Sequence, residues 1–179
     1  IGFINLPYFS RQKDLEKEIT GALNVKQLVS EETVESVVDL LTTTDLEEEL
    51  TRMNMLQPEI LAYFTSEDFE LLTDDERDVM LYSALVIYKS VKKIKNKFPK
   101  ITPQAIENAE EKNWLLLEGV TEKKFRERIS IFFETSPEED LIAFIEDMLT
   151  DDDENPITVE GREPIFIALK TIVDVLISA

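Results

Sequence analysis

The chain has 179 residues, 43% of them hydrophobic and ten of them Phe, so it can bury the core of a folded domain without disulfides or a structural metal. It contains neither Cys nor His, which excludes thiolate nucleophiles, thiolate and imidazole metal sites, and catalysis that depends on an imidazole. The 38 acidic and 19 basic residues give a formal net charge of -19, which opposes contact with nucleic acid and anionic lipid.

Helix starts recur along the chain. A Ser or Thr followed by acidic residues and then an apolar position occurs in SEETV, TDLEEEL, SEDFELL, TDDERDV, TEKKF and SPEEDLI, and TPQAI is a variant with Pro. The hydroxyl can accept a hydrogen bond from the first turn, where carboxylates also favour the positive end of the helix dipole. These starts predict helices at 11–23, 31–41, 45–53, 58–64, 67–71, 74–98, 103–117, 122–133, 137–149 and 162–178.

Several of these starts have additional local signals. Two prolines, Pro103 and Pro137, are predicted at the first helical position, where a backbone N–H is not needed. In a capping box, the third helical residue also returns a hydrogen bond to the cap. The spacing of a capping box is found in three pairs: Thr44 with Glu47, Thr73 with Glu76, and Ser136 with Glu139.

Two predicted helical stretches, 79–88 and 165–177, are apolar on nearly every side. A helix without a broad polar face is usually buried among other helices, so we expect these two to be the central pair. The second stretch carries Lys170 and Asp174 and is shorter than the roughly 20 residues that a membrane span requires. No membrane span is therefore predicted, and we expect a soluble protein.

The fold predicted by these patterns is all-α, an irregular multi-helix bundle of about eight to ten helices. We expect a single domain at 1–179, with two lobes at 1–98 and 99–179 as the alternative. EILAYF at 59–64 resembles DLIAFI at 140–145, and RDVMLYSAL at 77–85 loosely resembles REPIFIAL at 162–169. Because the spacings disagree, and because apolar helices with acidic caps look alike by chance, a duplicated helical hairpin is the less favoured interpretation.

Six lysines follow the first apolar stretch, and no acidic residue lies among them. One interpretation is a solvated helix end whose cations compensate the helix dipole. The other is a docking patch for an acidic group on a partner. The candidate partner-binding residues are Lys89, Lys92, Lys93, Lys95, Lys97 and Lys100.

The acidic segment at 151–162 partly matches a calcium-binding loop. Counted from Asp151, the first, third and fifth positions are Asp151, Asp153 and Asn155, which are suitable oxygen donors. The sixth position is Pro156 instead of Gly, and the twelfth is Arg162 instead of Glu. A flexible acidic connector is therefore favoured over a calcium site.

The function predicted from these features is a non-catalytic, acidic helical module that binds or masks a basic protein partner. No catalytic residue, metal site or cofactor is assigned, and the compartment stays open because lack of Cys fits both oxidising and reducing conditions. The alternative is a carboxylate-based enzyme, or a binder of a small ligand or divalent metal, with two acidic side chains converging in a pocket. A homodimer held by apolar helices is a further hypothesis.

Overall fold

The computed structural model describes residues 27–97, 99–150 and 155–179. The predicted helix at 11–23 lies outside them. The described residues contain no strand, so the prediction of an all-α fold with about eight to ten helices is confirmed. They form one 3-10 turn, at Glu67–Phe69, and eight α-helices: α1 (Glu31–Leu41), α2 (Leu46–Leu56), α3 (Pro58–Phe64), α4 (Asp74–Lys95), α5 (Pro103–Glu118), α6 (Phe125–Thr135), α7 (Glu139–Thr150) and α8 (Val159–Ser178).

Hydroxyl caps start the helices as the sequence predicts at several places. Thr73 and Glu76 form the complete capping box of α4, and Thr102 caps α5, with Pro103 at its first position. Ser30 caps α1 by accepting a hydrogen bond from the backbone N–H of Thr33. Local chemistry therefore determines where these three helices begin.

Other starts differ from the prediction. Asp45, and not Thr44, caps α2, because its carboxylate accepts hydrogen bonds from two first-turn N–H groups. Pro137 lies before α7 and not at its first position. The last helix begins at Val159 instead of 162, because Thr158 supplies a cap upstream of Gly161.

The central pair predicted from the two apolar stretches is confirmed as α4 packed against α8. Leu85 of α4 is 1% exposed and Leu169 of α8 is 0% exposed. The two helices run parallel, because Glu76 at the start of α4 contacts Thr158 at the start of α8, and Lys95 at the end of α4 contacts Leu176 near the end of α8. The described stretches include no helix with both the length and the apolar character of a membrane span.

Several helix contacts recur in the two halves α1–α4 and α5–α8, whereas those of α2 with α4, of α7 with α8 and of α4 with α7 have no counterpart of similar extent. Helix α1 packs on α4 and on α7, while α5 packs on α8 and on α3. The pairs α2 with α3 and α6 with α7 also correspond. A two-fold axis between α4 and α8 that exchanges α1–α4 with α5–α8 would relate the contacts that recur. The buried residues of both halves form one continuous core.

The segments leading into α1 and α5 are held in matching ways. The carboxylate of Glu138, 1% exposed before α7, accepts hydrogen bonds from the backbone N–H groups of Leu28 (2.8 Å) and Val29 (3.0 Å). Before α3, the amide of Gln57, 3% exposed, accepts a hydrogen bond from the backbone N–H of Ile101 (2.8 Å). Each buried polar side chain therefore satisfies backbone groups of the other half, which buried N–H groups require.

Candidate interaction groove

The lysines of the predicted docking patch do not all face solvent. Lys89 forms an ion pair with Glu49 of α2, and this contact holds the pKa of Glu49 below its usual range. The Nζ atom of Lys95 donates to the backbone oxygens of Leu176 (3.2 Å) and Ile177 (2.5 Å). Lys95 therefore places its charge at the negative end of α8, where a cation is favourable.

The other lysines point to different surroundings. Lys93 donates to the hydroxyl of Ser36 on α1 (2.6 Å), and the Nζ atom of Lys92 lies 5.6 Å from the ring centroid of Tyr88. Lys97 and Lys100 are exposed. Lys95 therefore compensates the end of a neighbouring helix, α8, and the docking patch for an acidic group stays a prediction.

A groove of about 690 Å³ lies between α1 and α7. Acidic side chains occupy both of its sides. Those of α1 follow one another at a spacing of four residues, which places them on one face of a helix. The acidic lining residues are Glu31, Glu35 and Asp39 of α1, and Asp140 and Asp147 of α7.

The groove also has an apolar lining, which the same two helices provide. Val34 is buried, whereas Val38, Ala143 and Phe144 are partly buried, so apolar surface remains in contact with solvent. Val38 and Phe144 also pack against the hydrophobic core. The arrangement is an apolar strip with carboxylates beside it.

Hydrogen bonds fix the two walls of the groove to each other. The carboxylate of Asp140 on α7 accepts from the backbone N–H of Glu31 (2.8 Å) and from the side-chain amide of Gln27 (2.5 Å). Because Glu138 holds residues 28 and 29 at the same end, the start of α1 is anchored to the start of α7. The groove is therefore formed by two helices that are joined at their starts, and not by a loop.

The corresponding interface of the other half lies between α3 and α5. A side-chain hydrogen bond joins the two helices there. The hydroxyl of Tyr63 donates to Oε1 of Glu110 (2.8 Å). Burial of Tyr63, together with the nearby charge of Glu110, raises the pKa of the phenol, so it remains a donor. Counted from the matching caps and buried polar residues, Tyr63 corresponds to Phe144, and Glu110 corresponds to Val38.

Two buried polar clusters have structural roles. The pKa of the Glu76 carboxyl lies below its usual value. Burial alone would raise this pKa, but hydrogen bonds from the hydroxyl and N–H of Thr158 and from the N–H of Thr73 have the larger, opposite effect. A Cβ atom added at Gly161 would lie 2.2 Å from Oε1 of Glu76. The lack of a side chain at 161 therefore allows one carboxylate to join the starts of α4 and α8.

The second cluster surrounds the buried amine of Lys170. Its Nζ atom lies 2.5 Å from Oδ1 of Asp174 and 5.8 Å from the ring centroid of Phe132. The side-chain amide of Asn113 donates to Asp174 (3.0 Å) and to Thr171 (3.4 Å). These contacts satisfy the polar groups where α5 and α6 meet α8.

The calcium-loop candidates are only partly described. Asp151 and Asp153 lie outside the described residues. The side chain of Asn155 accepts from the backbone N–H of Ile157 (2.9 Å) and donates to the backbone oxygen of Met148 (3.1 Å). Across 27–97, 99–150 and 155–179, no group of three or more acidic side chains is arranged to hold a metal ion.

The groove between α1 and α7 is not among the sites predicted from the sequence. A local signal existed, because the acids at Glu31, Glu35 and Asp39 run beside the apolar stripe that includes Val34 and Val38. Comparison with protein-family models, with curated protein sequences and with solved structures finds no match for this chain.

Proposed function

We propose that this protein is a non-catalytic interaction module that binds a basic segment of a protein partner in the groove between α1 and α7. The observation that carries the proposal is the combination of an apolar strip with carboxylates on both sides. Apolar contact supplies binding free energy, and complementary charge supplies orientation and a fast encounter. A basic segment with apolar side chains matches both properties.

The charge of the whole chain supports the same class of partner. A net charge of -19 repels acidic partners and attracts basic ones at long range. A second copy of this chain would bring the same acidic surface, so like charges oppose pairing groove to groove. Binding of a basic partner should weaken as salt rises, because the screening length is about 8 Å at physiological ionic strength.

Selection from a random library of displayed peptides tests the proposal with the full chain as the target. We expect the enriched peptides to combine net positive charge with apolar residues. The double variant Glu35→Gln with Asp39→Asn should weaken an enriched peptide about fivefold, because each exposed pair contributes about 0.5 kcal/mol. These two acids are exposed, so the variant keeps the fold.

The second half of the chain offers a matched control. Glu107 and Glu111 of α5 are exposed and occupy the positions that correspond to Glu35 and Asp39. Glu107→Gln with Glu111→Gln makes the same change in net charge, and we expect it to alter affinity less than twofold. Equal weakening by both variants, or enriched peptides without net positive charge, would contradict binding in the groove.

The carboxylate-based enzyme or ligand binder remains the alternative from the sequence. It requires acidic groups with raised pKa values that converge in a cleft. Among the described acids, Glu49 and Glu76 have pKa values below the usual range, and both are engaged in hydrogen bonds that join helices. The acidic groove supplies the cleft that this alternative needs, but no observation identifies a reaction or a small ligand there.

A further inference from the structure

The groove is shaped by two helices whose backbones are satisfied internally. The peptide groups of α1 and α7 are hydrogen-bonded within their own helices, so neither offers a free edge to which an extended strand could be added. Recognition must then depend on side chains. A ligand that fits such a groove projects apolar side chains along one line and cations on both sides of that line.

An amphipathic helix has this arrangement. The acids of α1 from Glu31 to Asp39 cover about 12 Å of helix axis, at roughly 1.5 Å per residue. A ligand helix of two to three turns spans that length and places apolar residues at i, i+3, i+4 and i+7 on one face. Lys or Arg beside this face would lie next to Glu35 and Asp39.

We infer that the segment bound in this groove is a basic amphipathic α-helix of about two to three turns, contacting Val38 and Phe144 with its apolar face. This inference rests on the proposed function and specifies the form of the ligand. Phe144 is the largest apolar side chain of the groove lining, and large aromatic residues commonly dominate the binding free energy of interfaces.

Three synthetic peptides of equal length test the form of the ligand. The first is built from Leu, Lys and Gln, with Leu at i, i+3, i+4 and i+7 and Lys beside the Leu face. The second has the same composition in an order that gives no apolar face. The third is the first with Pro at its central position, which breaks a helix. Each carries a fluorophore, and its affinity for the full chain is measured by anisotropy.

We expect the amphipathic peptide to bind about tenfold or more tightly than the other two, and to gain helical circular dichroism on binding. Phe144→Ala should weaken it about tenfold. Because Phe144 also packs against the core, the exposed double variant Glu35→Gln with Asp39→Asn serves as a second test that does not depend on packing. The matched Glu107→Gln with Glu111→Gln variant should bind as the wild type does.

The outcomes separate this inference from the proposed function. Equal affinity for all three peptides, with the loss in the Glu35→Gln, Asp39→Asn variant retained, would overturn the helical form and leave a basic ligand in the groove. If the Glu35→Gln, Asp39→Asn variant bound the peptides as tightly as the wild type does, both the helical form and the proposed function would be overturned. A dimer of the protein that Phe144→Ala dissociates would assign the groove to a second copy of the chain and would also overturn the inference.

Discussion

The interfaces α1–α7 and α3–α5 occupy corresponding places in the two halves, but their side chains make different contacts. Between α3 and α5, the hydroxyl of Tyr63 donates to Glu110 and bridges the helices. Between α1 and α7, the corresponding residues are Phe144 and Val38, which cannot form this hydrogen bond and instead line an acidic groove. The same helix arrangement thus gives a closed contact in one half and an open surface in the other.

The residues that stabilise the two interfaces differ from the residues that are available to a partner. The residues that anchor both interfaces, Glu138 and Gln57, are buried and bonded to backbone groups. The acids Glu35 and Asp39 are exposed. Changes at the first pair should alter stability, and changes at the second pair should alter binding.

The largest expected effect is on the two anchors. Glu138→Ala leaves the buried N–H group of Val29 and the partly buried N–H group of Leu28 without their acceptor, so the free energy of unfolding should fall by about 3 kcal/mol. Gln57→Ala removes one acceptor, and the fall should be about 2 kcal/mol. Urea unfolding of both variants measures this, with Glu138→Gln as a milder control. A negligible effect of either Ala variant would break the correspondence between the halves.

A second test concerns the central pair. A methyl group at Gly161 would displace the carboxylate of Glu76 and so disturb its bonds to Thr158. Gly161→Ala should cost about 1–2 kcal/mol in stability, even though Ala favours a helix over Gly. In a Glu76→Ala background the same change should cost much less, because the two sites share one space. Purely additive thermal stabilities would contradict the shared cap.

The pH dependence of stability provides a third test. The pKa of Glu76 is lowered in the folded protein, so the ionised carboxylate contributes stability above its unfolded pKa, near the ordinary value of 4.5. That contribution is lost as pH falls through the folded pKa. Glu76→Gln should therefore flatten the loss of stability below about pH 4.5. An unchanged acid limb in the variant's unfolding curve would remove this role.

The smallest effect is expected at the bridge itself. Tyr63→Phe removes the hydrogen bond to Glu110 and should lower stability by about 1 kcal/mol. Phe144→Tyr, at the corresponding place, faces Val38 and the open groove, where carboxylates are in contact with water, so any gain in stability should be smaller. Chemical denaturation of the two single variants compares them directly; equal and opposite effects would mean that the interfaces do not differ as described.

Much of the helix pattern was predictable because caps are local. Ser30, Thr73 and Thr102 start their helices within a few residues of sequence, and the apolar stretches that contain Leu85 and Leu169 indicated the central pair. The predicted start of α8 lies three residues after the actual one, because the cap at Thr158 precedes a Gly and a Pro, which normally disfavour a helix.

The candidate groove was predictable only in part, because its α1 wall has a local pattern but the groove itself requires distant segments to meet. Asp140 binds the start of α1 across more than a hundred residues of chain, and no local pattern around it differs from the other acidic helix starts. The roles of Gln57 and Glu138 were not predictable for the same reason, because each accepts a hydrogen bond from a backbone N–H group that is distant in the sequence. The single-domain and two-lobe alternatives both stay predictions.

The most direct test of the central claim is the mapping of amide chemical shifts of the nitrogen-15-labelled protein while the amphipathic Leu and Lys peptide is added. We expect shift changes centred on Glu31–Leu41 and Glu139–Thr150, the two walls of the groove. Changes centred on α3 and α5, or spread evenly over the acidic surface, would contradict it.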